Sequence, residues 1–449
     1  MEIKGKYTTA VVHTDNIELE AIDQINEIVN CRAFEGQTVH YMPDVHAGMH
    51  STVGFTSTLG EYINPQHLGG DLGCTVSMLL LEREVPENKY AEFEHRLRKE
   101  IPMGSEINEY TVIDEKDFMR FLTNEFNKVR QQWPEALSEL PSQVTEKWIL
   151  EQIKRLNIEP SMFYSSLLSV GGGNHGVEYG SDGEHFGVMV HCGSRNFGQK
   201  VAKYWTMIAQ RGVQKKSSKD DKERIKELRA QFKEDWKRVH WKDKTGYDEA
   251  LKKFIEEQTS DPNHILGYLT GDDMNGYLCD LCFAQCYARY NHIAIHNAVK
   301  SILSKYDIPV KEEIFCTHNY VDFEERMMRK GAISAKEGQT ILVPFNMRDG
   351  VAVCVGKGNP DWNYSCSHGA GRRMSRAQAK KRISLDEFKE SMKDVYSTSI
   401  GKETLDESPQ AYKDTEEIKS LITQTCEILY IMPARINLKA TSSDGSNDD

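Results

Sequence analysis

The constraint that weighs most on this chain is a repeated local pattern. Short apolar runs end in glycine-rich loops that carry an imidazole, a thiol or a carboxylate. "SLLSVGGGNHGVEYG" (166–180) and "FGVMVHCGSRNFG" (186–198) both show it, and "GGDLGC" leads into the run "TVSMLLLE" (75–82). Apolar runs this short, bounded by glycine, read as strands. Helical stretches lie between them. Residues 86–165 read mostly helical, punctuated by Pro141 and Pro160. Between 205 and 260, Ile225, Leu228, Phe232, Trp236 and Val239 recur at spacings of three and four in a Lys- and Glu-rich background. That is the mark of an amphipathic helix or helical hairpin. Further helices are expected at 275–306, 385–397 and 413–430, and strands with loops over 1–84 and 312–372. The elements follow no regular βαβ rhythm, so the class is α+β. The ending "ATSSDGSNDD" is a polar tail expected to be disordered.

Composition narrows the setting. Hydrophobic residues make up 39% of the 449, as in ordinary globular chains, and no run of 18 apolar residues exists to span a membrane. The opening "MEIKGKYTTAVVHTDNIELEA" lacks the apolar core of a signal peptide. Ten scattered cysteines without a secretion signal predict a reducing cytoplasm and free thiols. A formal net charge of −12 excludes a generic nucleic-acid coat, so any polyanion must be met by local basic patches.

The chemistry gathers in the glycine-rich loops. They carry Asp71 and Cys74, then Asn174, His175 and Glu178, then His191 and Arg195, then His318 and Asn319, and finally His368. A thiolate, a carboxylate and imidazoles are donors for divalent transition metals, and one sulfur can bridge two ions. Each residue also has an ordinary reading. A lone histidine is more often a hydrogen-bonded structural residue, Asp71 suits a turn, and Cys74 suits a core. The donors are far apart in sequence, so spacing alone does not separate these readings. Cys279, Cys282 and Cys286 form a helical stripe expected in the core, and His292 and His296 lack the glutamate of H-E-x-x-H, so both sets read as structural. No GxxxxGK[ST] loop is present, which leaves arginines, backbone N–H groups and metal to hold phosphates. "SHGAGRRMSR" sets Arg372, Arg373 and Arg376 just after His368.

The blocks "MPDVHAGMHSTVGFT", "GGDLGC", "GGGNHGVE", "HCGSRNFG", "THNY", "RKGAISA" and "SHGAGRRMSR", in this order, resemble the RtcB family of GTP-dependent RNA ligases over roughly residues 1–205 and 262–439. The resemblance implies one catalytic domain over 1–439 with a helical insertion near 205–260. It implies joining of an RNA 3′-phosphate or 2′,3′-cyclic phosphate to a 5′-hydroxyl end, with GTP as co-substrate and two Mn²⁺ ions. Carried onto this sequence, Asp71, Cys74 and His175 would hold one ion, and Cys74, His191 and His318 the other. His368 would be the nucleophile that takes GMP, with Gly369 and Gly371 giving a triphosphate clearance and Arg372 or Arg373 assisting or binding RNA. Asn174, His175, Gly176, Val177, Glu178, His318, Asn319, Pro344, Phe345, Asn346, Met347, Gly369, Ala370, Gly371 and Lys439 would line the GTP site. RNA is the implied partner, the expected protein is a cytoplasmic monomer, and whether a separate activating protein is needed stays open.

This sequence departs from the family pattern at four places. "PFNM" (344–347) stands where P-G-S-M is usual, Val351 where a small polar residue is expected, Met49 and His50 where Lys-Gly is frequent, and Cys192 at the serine of H-S-G-S-R. Two other classes remain as alternatives: a metal-dependent phosphodiesterase or phosphatase on the same dinuclear site, and a non-catalytic RNA-binding paralogue.

Overall fold

The computed structural model describes residues 1–49, 51–240, 246–247, 250–251, 254 and 267–441. In chain order the elements are β1 (Glu2–Lys4), β2 (Thr9–Val12), α1 (Leu19–Val29), β3 (Val39–His46), β4 (Val53–Thr58), β5 (Thr75–Leu81), α2 (Tyr90–Glu100), α3 (Glu115–Gln132), α4 (Glu146–Arg155), α5 (Pro160–Ser165), β6 (Gly176–Ser181), β7 (Phe186–Cys192) and α6 (Arg195–His240). Then come α7 (Gly271–Leu303), β8 (Val310–Thr317), β9 (Asn319–Asp322), β10 (Met327–Lys330), β11 (Ala332–Ser334), β12 (Thr340–Asn346), β13 (Gly350–Gly356), β14 (Ser365–Ser367), α8 (Arg376–Arg382), α9 (Leu385–Ser391), α10 (Thr415–Ile422), β15 (Cys426–Met432) and β16 (Ala434–Leu438).

The sheet that positions the site has the order β16-β6-β7-β5-β8, antiparallel throughout. All seven residues of β5 are buried because both faces of this sheet are covered. Successive side chains alternate between the faces. Val76, Met78 and Leu80 join Ile341, Val343 and Val353 of the three-stranded sheet β12-β13-β15. Leu79 and Leu81 join Phe93 of α2 and Ile295 and Val299 of α7. A second, six-stranded sheet runs β1-β2-β3-β4-β10-β9, with only its β2–β3 pair parallel, and β11 pairs with β14. The mixed sheets and interleaved helices make the α+β class.

Helix α7 is buried along most of its length, and its buried Asp280, Asn291, His292 and His296 are each hydrogen-bonded. Cys279, Cys282 and Cys286 lie in its core-facing surface, packed with the aromatic cluster. Asp280 ties three helices together: it accepts from Arg155 Nη2 (2.6 Å) and from Trp205 Nε1 (2.6 Å).

Three expectations need correction. The segment "CEILYIM" is strand β15 and not the end of a helix, because it pairs with β13 and the helix stops at Ile422. The helix expected at 385–397 ends at Ser391, and α8, opened by a Ser375 capping box, was not anticipated. Helix α1 was also missed, although Ala21, Ile25, Ile28 and Val29 have helical spacing. Of the expected insertion, residues 205–240 fall inside α6, which starts at Arg195. Leu228, Phe232 and Trp236 are half-buried, and the Phe232 ring meets those of Tyr247 and Phe254 at 5.6 and 5.0 Å. The side chains of Ile225 and Val239, most of 241–266, and the tail beyond 441 lie outside the described residues.

Phe283 of α7 meets Phe126, Trp148, Phe163 and Phe197, one ring from each of α3, α4, α5 and α6, with centroids 4.6–5.9 Å or 6.0 Å apart. Phe283→Ala should therefore lower unfolding free energy by about 3–5 kcal/mol, read by denaturant titration. A loss below about 1 kcal/mol would mean that this cluster does not hold the helical layer together.

Candidate active site

Strand register gathers five donors at one end of the five-stranded sheet. Cys74 and Asp71 sit in the glycine turn before β5, His175 in the turn before β6, His191 near the end of β7, and His318 just after β8. The pairs Val76↔His191, Gly176↔His191 and Thr75↔Thr317 bring these positions level. Cys74 Sγ lies 3.3 Å from Nε2 of both His175 and His191. His191 Nε2 is 3.3 Å from His318 Nε2, and His175 Nε2 is 3.0 Å from Asp71 Oδ2. All five side chains are buried. Two glycines make room: a Cβ on Gly171 would stand 2.1 Å from His175 Nδ1, and one on Gly193 would stand 2.0 Å from Asp71 Oδ1.

The donors form two triads, Asp71–Cys74–His175 and Cys74–His191–His318, each with its ligand atoms within 4.8 Å of one another. Burial, with the neighbouring imidazoles, pushes the acidity constants of His191 and His318 well below the ordinary histidine value. Neutral imidazoles present lone pairs, and several lone pairs converging without water are costly unless a proton or cation lies between them. A cysteine sulfur, a carboxylate and three imidazoles are a donor set that suits divalent metal, and Cys74 belongs to both triads. The donor set fits two ions.

His368 follows β14 and stands beside this cluster, its ring 4.8 Å from that of His318. Its Nδ1 donates to Oδ2 of Asp44 at 2.7 Å, and Asp44 is fully buried on β3. At Gly371 the closest approach is to the chain itself. With φ +72° it lets the loop close on β3, where a Cβ would stand 2.3 Å from the Asp44 carbonyl oxygen. Gly369 likewise approaches the Pro344 carbonyl, 2.9 Å from its would-be Cβ.

His368 borders two cavities. One is a cleft that Asn174, Glu178, Pro344 to Met347, Gly369 to Gly371 and Lys439 also line. The other holds Asp71, Cys74, His175, His318 and Asn319. Gly176 and Val177 line neither: Val177 packs into the core with Tyr179 and Val188. Within the cleft, Glu178 Oε2 accepts from Asn437 Nδ2 at 2.7 Å, and burial pushes its carboxyl up to about 8. Lys439 donates to the Asn174 carbonyl, and burial lowers its ammonium below the usual lysine value. Asn319 bridges the two loops, accepting from Gly331 N at 2.9 Å and donating to the Asp71 carbonyl at 3.2 Å.

With this geometry in view, the chain can be set against known proteins. The family described as tRNA-splicing ligase RtcB matches residues 24–439. The chain belongs to the RtcB family. The RNA-splicing ligase RtcB of Escherichia coli (strain K12) is 28% identical over 442 residues, spanning 93% of this chain and 94% of its own length. The tRNA-splicing ligase RtcB of Aeropyrum pernix is 23% identical over 477 residues, spanning 91% and 90%.

Glu407 and Tyr412 of this RtcB chain were not legible beforehand as site residues. Arg372, Glu407 and Tyr412 line the cleft. Arg372 and Arg376 both donate to Glu407 Oε1, Arg376 also reaches Asp406 Oδ2 at 3.1 Å, and Tyr412 OH donates to Glu407 Oε2 at 2.6 Å. Burial opposes the charged form of Glu407, yet Arg372 and Arg376 outweigh it and hold the carboxyl at about 2. The arginines after His368 are thus matched by carboxylates that come some thirty residues later, and only Arg373 is exposed. Phe345 is 2% exposed at a bulge in β12, packed into the core. Asn346 closes the β12–β13 turn, its Oδ1 accepting from Arg348 N and Asp349 N at 3.0 and 2.9 Å. Its side chain is committed to the turn. Val351 is buried between the two sheets, and Cys192 accepts from Asn291 Nδ2 at 3.3 Å, its thiol pushed up by burial to about 11. His50 lies outside the described residues. His292 and His296 are buried and hydrogen-bonded to Ser77 Oγ, each at 2.7 Å.

Elemental analysis after loading with divalent metal tests the cluster. Cys74→Ala should lose metal from both triads, and Gly193→Ala should lose it mainly where Asp71 is displaced. Cys279→Ala, a core position, should bind as the wild type does. Equal metal content in the Cys74 and Cys279 variants would exclude the shared thiolate.

Proposed function

We propose that this chain is an RNA ligase that joins a 3′-phosphate or 2′,3′-cyclic phosphate end to a 5′-hydroxyl end, using GTP and guanylylating His368 on the way. The observation that carries the reading is the bond from His368 Nδ1 to the buried carboxylate of Asp44, beside a cluster of metal donors. A carboxylate only accepts, so Nδ1 keeps its proton and Nε2 carries the lone pair of the neutral ring. That nitrogen attacks the α-phosphate of GTP, and pyrophosphate departs. As the N–P bond forms the ring gains positive charge, which Asp44 offsets without leaving its place. Nδ1–H also lets His368 depart as neutral imidazole when the RNA 3′-phosphate takes over the guanylate. The 5′-hydroxyl then displaces GMP.

Asp71, Cys74 and His175 would hold one Mn²⁺, and Cys74, His191 and His318 the other, supplying Lewis-acid charge next to the phosphates. The thiolate-bearing set would suit zinc as well; manganese follows from the family resemblance. Glu178 and Lys439 would meet the guanine, since Asn346 is engaged in its turn and Phe345 offers only an apolar wall. The reading takes residues 1–439 as one catalytic unit, acting as a cytoplasmic monomer on RNA. Among the described residues no helix is long and apolar enough to cross a membrane. A plain phosphodiesterase would have no use for His368 and its Asp44 anchor.

Incubation with α-labelled GTP and manganese should leave an acid-labile, alkali-stable label on the wild type and none on His368→Ala. Asp44→Asn should slow labelling by about 10²-fold or more, because the ring loses the negative charge and the acceptor-only partner that fixes its tautomer. Equal labelling of His368→Ala would remove that histidine as the nucleophile.

The same assay tests base recognition. Glu178→Gln should bring the kcat/KM values for GTP and ATP closer together, by about tenfold for the roughly 1.4 kcal/mol of one exchanged hydrogen bond. An unchanged ratio would place base choice elsewhere.

A further inference from the structure

We infer that Lys413 is a positioning residue for guanylylation: it keeps Asp44 charged and in place against His368 without touching substrate, an assignment that rests on the ligase reading above. Its side chain is buried, and the ammonium donates to three carbonyls, those of Asn16 at 3.0 Å, Pro43 at 3.1 Å and Val45 at 2.7 Å. Two of these carbonyls belong to the residues on either side of Asp44. The Lys413 backbone N donates to the Gly371 carbonyl at 2.9 Å. The bridge between Arg372 and Tyr412, and the bond from Arg373 N to the Ala411 carbonyl at 3.0 Å, continue that contact. One residue therefore grips both partners of the nucleophile pair, the strand that carries Asp44 and the loop that carries His368.

The charge matters as well as the grip. Asp44 is fully buried, its Oδ2 takes the His368 bond, and its Oδ1 has no hydrogen bond among the described residues. A buried carboxylate so sparsely bonded stays ionised only with a cation close by. Burial lowers the Lys413 ammonium below the usual lysine value, and Asp44 leads the acids that oppose this, ahead of Glu417 and Glu18. The two charges support each other. A neutral Asp44 carboxyl could instead donate to Nδ1 of His368. The imidazole proton would then sit on Nε2, and the edge that attacks the α-phosphate would lose its lone pair.

Lys413 does not meet the substrate itself. An ammonium has three N–H donors, and here carbonyls take all of them. The residue lines a neighbouring groove and not the cleft that His368 borders. Its effect on the reaction passes through Asp44 and the His368 loop.

A double-mutant cycle tests this. Wild type, Lys413→Met, Asp44→Asn and the double variant are assayed for labelling by α-labelled GTP, with kcat and KM measured separately. Lys413→Met keeps the length of the side chain and removes the charge. It should lower kcat by about 10–100-fold and leave KM for GTP within about threefold, whereas the same change in the Asp44→Asn background should cost less than about threefold. Metal content and near-ultraviolet circular dichroism matching the wild type show that each variant is folded, and Lys413→Gln takes the place of Lys413→Met in the cycle if that variant fails the check. Losses that multiply in the double variant would overturn the proposal and make Lys413 a plain support for the fold. A loss carried by KM alone would overturn it too. A wild-type protein that takes no label from GTP would overturn the ligase reading, and this inference with it.

Discussion

Cys74 Sγ stands 3.3 Å from imidazoles on two neighbouring loops and strands, and that placement depends on the register of β5 between β7 and β8. A slip of one residue would turn every side chain of β5 to the opposite face. Met78 would then leave the β12–β13–β15 layer and Leu79 would leave the helices. Because both faces are buried, such a slip would disrupt two cores at once, and the donor cluster inherits that rigidity. The backbone bond from His318 N to the Cys74 carbonyl, 2.9 Å, joins two of these loops directly. The layers on either side hold the strands level.

The apolar strands were legible for the same reason. A strand covered on both faces shows an unbroken run such as "TVSMLLL", bounded by glycine. β15 was harder, because its burial is uneven and its neighbour β13 is about seventy residues away in the chain. An isolated reading of "CEILYIM" cannot see that partner. The helical core positions of Cys279, Cys282 and Cys286 were readable from their spacing, which is a local property.

The site was legible as a set of residues and not as an arrangement. No local spacing joins Asp71 to His318; the order of the blocks grouped them, and the fold links them through contacts of 3.0 to 3.3 Å that run from Asp71 to His175, Cys74, His191 and His318. Asp44 escaped notice although it stands in the first block, since nothing nearby in sequence shows that it faces His368, 324 residues on. The glycines around His368 invited a ligand-centred explanation, whereas the close approaches are to the chain's own carbonyls. A glycine signals that something comes near, and sequence cannot tell what.

The carboxylates of Asp406 and Glu407 change what the arginines of the cleft can offer. Arg372 and Arg376 are already matched to them. A polyanion that docks on free guanidiniums gains much of its affinity by releasing small ions condensed along its own backbone, and loses that gain as salt rises. Here the protein carries its own counter-ions. A strand lying along this wall would be held more by the fixed direction of N–H groups and the shape of the groove than by charge, and its grip would weaken less with salt than a count of arginines implies.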